Sequence, residues 1–185
     1  MKVTTIAATS FAVVAAVDNV FNPVPATLPK CQNPAPKTCG FYFECLDVAH
    51  PCRSTGYAQS FGGKYCELFD NKMDWFSLKG QAWMFGTMTC LQRKLVTLLN
   101  NPSLSCANIH SFAFDSHPSC YTTDNANGIS VCDLPVTDWF SLLRVIGLKT
   151  LIQLDTIENG NETGLKCLRE YFHWETTSLN NHTFN

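Results

Sequence analysis

The sequence predicts an all-α, disulfide-stapled helical domain behind an extended, proline-rich N-terminal arm. Three observations predict it. Ten cysteines stand in 185 residues with no C-x-x-C pair, apolar residues recur at steps of three and four, and strand-like alternation is almost absent. The length fits one domain, and a hydrophobic content of 45% is ample for a core. Lys and Arg number 13 against 15 Asp and Glu, a net charge of -2, so no basic excess draws in a phosphate backbone. On that ground nucleic acid is excluded as the main partner.

The first element is a leader. Lys2 gives a minimal positive start, Thr4 to Val17 is uncharged and mostly apolar, and Val14-Ala15-Ala16 presents small residues where a signal peptidase reads. A signal peptide is therefore expected over 1–16, cut after Ala16. An apolar run of 14 residues is shorter than the roughly 20 that span a bilayer, and no later stretch reaches that length without a charge. The mature chain is expected to be secreted and extracellular, with no stable membrane insertion. In that compartment an even count of thiols reads as five disulfides.

Residues 17–38 form the arm. Pro23, Pro25, Pro29, Pro34 and Pro36 block helix and strand ladders, which leaves an extended chain pinned at Cys31. The helical domain is expected over 39–174. Phe41, Phe43, Leu46 and Val48 crowd a short segment that stops at Pro51. Tyr57, Phe61, Tyr65, Leu68 and Phe69 form one face of a helix, weakened at Gly62-Gly63 by ~1 kcal/mol per glycine relative to alanine.

The longest pattern runs from about Ser77 to Leu99. Leu78, Ala82, Phe85, Met88, Leu91, Leu95, Leu98 and Leu99 step by three, four or one, and Asn100-Asn101-Pro102 ends the run. This Met and aromatic stripe reads as core packing rather than a cofactor box. A shorter helix is expected over 104–114, closed by His117-Pro118, followed by a polar loop over 119–135 with a turn at Asn127-Gly128. Thr137 is the expected N-cap of a helix through about Ile157. Its apolar face is Phe140, Leu143, Leu151 and Leu154, widened by Trp139, Leu142 and Ile146. A last helix through Leu165, Leu168 and Phe172 leads to a polar tail over 175–185.

Catalytic and cofactor signatures are missing. The chain has no H-E-x-x-H, no G-x-S-x-G and no phosphate-cradling loop, and no cofactor or enzymatic activity is expected. Asp115-Ser116-His117 are three triad letters in a row, but a working triad converges from separated elements. They read as a turn. His50, His110, His117, His173 and His182 lack ligand spacing. The stretch 123–128 resembles the start of a calcium loop, yet position one is Thr123 and position twelve is Leu134, so both key carboxylates are absent. No metal site is expected. Asn161 and Asn181 head N-x-T sequons and are the expected glycosylation sites, whereas Pro102 rules out Asn101.

Spacing alone does not give the connectivity of the ten cysteines. The stretch Cys39-Gly40-Phe41-Tyr42-Phe43-Glu44-Cys45-Leu46, the segment 76–90 with Gly80, Ala82 and Trp83 leading to Cys90-Leu91, and Cys120-Tyr121 resemble the stanniocalcins. Cysteine steps of 24, 16, 14 and 35 also fall as they do in that family, and the resemblance covers about Cys31 to Cys167. It implies the pairs Cys31–Cys45, Cys39–Cys66, Cys52–Cys106, Cys90–Cys120 and Cys132–Cys167. It further implies a secreted glycoprotein with hormone-like activity in calcium and phosphate homeostasis, acting through an extracellular partner or receptor. Two alternatives stand beside it: an inhibitor of an extracellular metalloprotease, since family members block pappalysin-type enzymes, and a carrier of an apolar small ligand.

The chain departs from the family in two ways. No sequon lies near the N-terminal cysteines, and the cysteine that joins two chains in most relatives would fall beyond Asn185. No disulfide-linked dimer is expected, which leaves open a non-covalent one through the helical faces around Trp83 and Trp139. On a non-reducing denaturing gel the protein should therefore run as a single chain, with essentially no thiol labelled after denaturation. A reductant-sensitive band at twice the mass would break this expectation.

Overall fold

The computed structural model describes residues 25–147 and Cys167. The expected signal peptide, the helix beyond 147, the last helix around Cys167, the tail, and both sequons, Asn161 and Asn181, lie outside the described residues. Among the described residues every regular element is helical. The arm is not extended where it is described: Pro25–Thr27 is a 3-10 turn and α1 spans Pro29–Gln32. Proline is suited to the first helical position, where its missing N–H has no partner to lose and its fixed φ is already helical.

Two aromatic segments then make paired turns of unusual width. A π-helical turn, Tyr42–Leu46, runs into α2 (Asp47–Ala49), and a second, Ala58–Gly62, runs into α3 (Gly63–Asp70). Tyr42 and Tyr57 are both buried and meet edge to face with centroids 6.3 Å apart. This contact explains Gly62, which the sequence marked only as a weakness. A Cβ there would lie 2.6 Å from the Tyr42 ring and 2.8 Å from the Tyr57 ring. Val48, by contrast, is exposed.

The central element is α4 (Leu78–Val96), which continues as a 3-10 turn, Thr97–Asn100. Every residue over 83–90 is buried, so this helix has neighbours all round rather than one apolar stripe. Leu78, placed on its apolar face by periodicity, is exposed. Ser77 caps the helix, its hydroxyl accepting from the Gly80 N–H at 3.1 Å. Gln92, fully buried, donates to the Thr38 carbonyl at 2.7 Å and ties α4 to the arm.

On another side lie α5 (Cys106–Asp115) and α6 (His117–Tyr121). His117-Pro118 opens a helix here instead of closing one, because Pro118 falls in a first turn that needs no N–H from it. The expected polar loop is shortened accordingly: residues 119–121 belong to α6, and Val131–Asp133 is a 3-10 turn with a capping box from Ser130 and Asp133. The Asn127-Gly128 turn is present, with Gly128 at φ 68°. Beside it the buried Asn125 side chain donates to the Trp83 carbonyl and to Thr87 Oγ1, both at 3.0 Å, and so fastens the loop to α4.

The last described helix, α7, spans Val136–Ile146. Thr137 is inside it and not its cap; Pro135 holds the extended N-cap backbone, with no side-chain bond. The helix ends at Gly147, whose φ of 79° breaks the ladder well before Ile157. Its buried stripe is Asp138, Leu142 and Val145, while Phe140 and Leu143 are exposed, against expectation. Leu151 and Leu154, the rest of the expected apolar face, lie outside the described residues.

Five disulfides join these pieces: Cys31–Cys45, Cys39–Cys66, Cys52–Cys106, Cys90–Cys120 and Cys132–Cys167. These are the pairs that the resemblance implies. Cys120 lies in α6, so the Cys90 bridge joins helix to helix rather than helix to loop. From loop length alone, each restricts the unfolded chain by about 3–4 kcal/mol.

The packing at Gly62 sets a test of sign. An alanine in an exposed helix position stabilises by ~1 kcal/mol over glycine, but here the added methyl meets two buried rings. Gly62→Ala should lower stability by about 1–3 kcal/mol, read as a reduced urea midpoint.

Candidate functional site

The Asp115-Ser116-His117 cluster performs packing. Ser116 Oγ donates to the Phe112 carbonyl at 2.9 Å, and His117 Nδ1 donates to the Ala113 carbonyl at 2.8 Å, each closing a helical turn. The His117 imidazole sits among aromatic rings: stacked on Phe114 at 5.0 Å, and edge-on to Tyr57, Phe61 and Tyr121 at 6.3, 5.9 and 5.4 Å. Burial in this apolar setting lowers its pKa to about 4, although the Ala113 carbonyl favours the cation. Burial likewise raises the Tyr42 and Tyr57 hydroxyls above their ordinary value. Of the other described histidines, His110 shares the Phe114 and Tyr57 rings with His117, and His50 lies apart, its ring reaching the Leu98 carbonyl at 2.9 Å.

In the stretch 123–128 only Asn125 is buried. Asn125 is spent on α4, and Asp124 pairs with Lys94 at 2.8 Å, whose hydrogen bond holds the carboxyl below its usual range. Among the described residues no three His, Cys, Asp or Glu side chains gather closely enough to hold a metal ion. No helix among them is long and apolar enough to cross a membrane.

Of the two helical faces expected to be exposed, the one around Trp83 is buried, while the one around Trp139 carries the exposed Val136, Phe140 and Leu143. Trp83 is 4% exposed and its indole N–H donates to the Tyr121 carbonyl at 3.0 Å. Trp139 is half-buried against the core. Among the described residues the exposed indole is Trp75, at the end of the 3-10 turn Met73–Trp75. Lys72 Nζ lies 4.9 Å and the Arg144 guanidinium 4.3 Å from its ring centroid. Trp75, Phe140, Ser141 and Arg144 line an open cleft of about 310 Å³. Along its helical side, Val136, Phe140 and Leu143 stand at steps of four and three and are 70%, 68% and 45% exposed.

Three bonds build this cleft. Asp138 is 1% exposed and accepts from the Ser77 N–H at 2.8 Å and the Ser77 hydroxyl at 2.6 Å, which seats α7 on the start of α4. Ser141 Oγ donates to the Trp75 carbonyl at 2.7 Å and fixes the turn against α7. The arrangement offers an aromatic floor, an apolar wall and two cations, a surface for contact rather than for bond-breaking chemistry. Sequence reasoning missed Trp75, Lys72 and Arg144. The available signal was that α7 carries two apolar stripes, only one of which can face a core.

The environment of His117 sets a pH dependence. The unfolded chain takes up this proton near pH 6.5 and the folded chain only near pH 4. Between those values the unfolded state binds more protons, so stability is full above pH 6.5 and falls as the pH drops toward 4. The full loss is about 3 kcal/mol. Urea midpoints measured across this window should fall in the parent and stay flatter in His117→Phe, which keeps the ring packing without the titration.

Comparison with protein-family models, with curated proteins and with solved structures finds no match for this chain.

Proposed function

We propose that the chain is a secreted, glycosylated, stanniocalcin-like regulator that acts outside the cell through protein contacts, without enzymatic activity or a cofactor. The observation that carries this reading is the disulfide pairing. Five bridges coincide, pair for pair, with those implied by a resemblance built on other residues as well as cysteine spacing. Such a network also fits an oxidising compartment. Support comes further from what the polar core groups do: His117, Asn125 and Asp138 are engaged in holding helices together. The exposed chemistry is concentrated instead in the Trp75 cleft, whose Trp, Arg and aromatic content is typical of contact surfaces. Hormone-like action on calcium and phosphate balance follows from the resemblance alone.

The purified, disulfide-intact protein, used as bait in extracellular fluid from its own source, should retain a defined partner. A membrane receptor among the retained proteins would support the hormone-like role, and a metalloprotease whose activity the protein blocks would convert it to an inhibitor. Tight, saturable binding of a fatty acid or sterol, with no retained protein, would replace this reading with the carrier.

A further inference from the structure

We propose that the Trp75 cleft is the contact site of this regulator, and that its occupant is a partner's peptide segment carrying one carboxylate beside a large apolar side chain. This rests on the reading of the protein as one that acts through protein contacts, and it specifies what the contact recognises.

Charge complementarity carries the argument. Among the described residues only Lys30 and Lys94 form ion pairs, with Glu44 and Asp124, and Lys72 and Arg144 stand out from the other unpaired cations by sharing one ring. Both lie over the Trp75 indole. A carboxylate entering the cleft would complete them, and the guanidinium can hold it by two parallel hydrogen bonds. Trp75 keeps 39% of its surface exposed for an apolar neighbour, with Phe140 lining the same cleft and Val136 and Leu143 exposed on the same helix. The cleft's size suits a side chain rather than a whole element.

The amount of charge selects the class of partner. Asp70 ends α3 and Asp74 lies in the same connection as Lys72, so with Arg144 these four charges sum to zero and the surface carries no net positive field. A membrane of anionic lipid or a polyanionic chain is held by clusters of four or more basic residues, and this surface offers two. One acidic group flanked by hydrophobic contact is the ligand that fits. The site is also built before binding, since the Ser141–Trp75 and Asp138–Ser77 bonds fix both walls. Little ordering cost then falls on the complex.

The test selects random twelve-residue peptides, displayed on phage, on the whole oxidised protein, and measures synthetic copies of the recovered sequences by titration. Recovered peptides should share Asp or Glu next to Leu, Phe or Trp. Their affinity should fall about tenfold or more in Arg144→Glu and in Phe140→Ser, and less in Lys72→Glu, with native disulfides retained in all three. Replacing the peptide's acidic residue by Lys should abolish binding. Recovery of peptides without an acidic residue, recovery of none, or affinity unchanged in both Arg144→Glu and Phe140→Ser would overturn the proposal. In the free protein, Phe140 replaced by the photo-crosslinker benzoylphenylalanine should form no adduct within the protein preparation. An adduct to a second copy, or to residues beyond 147 of the same chain, would give the cleft to that occupant and overturn the proposal too. A partner retained from extracellular fluid equally well by Arg144→Glu and Phe140→Ser would leave the contact-regulator reading standing and sink only this site.

Discussion

A single buried carboxylate decides where the outer helix of this domain lies. Asp138 takes both the N–H and the hydroxyl of Ser77, and the same hydroxyl accepts from Gly80 at the first turn of α4. A negative charge at the N-terminal end of a 19-residue helix is favoured by the unpaired amides there and by the helix dipole. Losing it would leave Ser77 bonded to nothing on α7 and the capping hydroxyl poorly oriented. Because α7 is seated by this contact, Phe140 and Arg144 reach the Trp75 turn and the cleft exists. On α7 the residues that face the cleft, Phe140 and Arg144, are therefore different from Asp138, which seats the helix.

The interior divides its work between covalent and packed contacts. Four bridges join α1 to the first π-helical turn, the segment before that turn to α3, the segment after α2 to α5, and α4 to α6, and each acts mostly by restricting the unfolded chain. Specificity of the folded arrangement comes from rings and polar latches. Tyr42 on Tyr57, Phe61 and His117 on Phe114, and Asn125 across Trp83 and Thr87 each admit one geometry. A helix buried all round, as α4 is through its centre, needs such neighbours on every side, and the short elements supply them.

Much of this was legible in the sequence, and the misses have physical causes. The helical class, the long central helix and the short aromatic segments follow from spacing, because period 3.6 survives in any helix with a dry side. What spacing does not report is which of two stripes is dry. Phe140 and Leu143 are as apolar as Leu142 and Val145, and the choice was made by Asp138, a charged residue on the buried stripe. Trp83 and Trp75 likewise differ in surroundings and not in type. His117-Pro118 signals a boundary correctly, but a proline near a boundary is compatible with either the end of one helix or the start of the next. The connectivity of the cysteines was accessible only through resemblance, since no physical rule orders pairs by spacing.

The bridges also define which parts of the chain depend on peptide bonds alone. The loops closed by Cys31–Cys45, Cys39–Cys66, Cys52–Cys106 and Cys90–Cys120 overlap in succession, so one backbone cut anywhere between Cys31 and Cys120 leaves a single covalent molecule. Between Cys120 and Cys132 no loop is closed around the chain. That stretch contains the exposed Asn127-Gly128 turn, and among the described residues a nick there would leave α7 joined to the rest by non-covalent contacts alone, those of Asp138, Ser141, Arg144 and the Ile146 carbonyl with their partners and the apolar packing beside them. A protease acting on this one turn would thus be able to separate the Phe140 and Arg144 wall of the cleft from its Trp75 floor without reducing any disulfide.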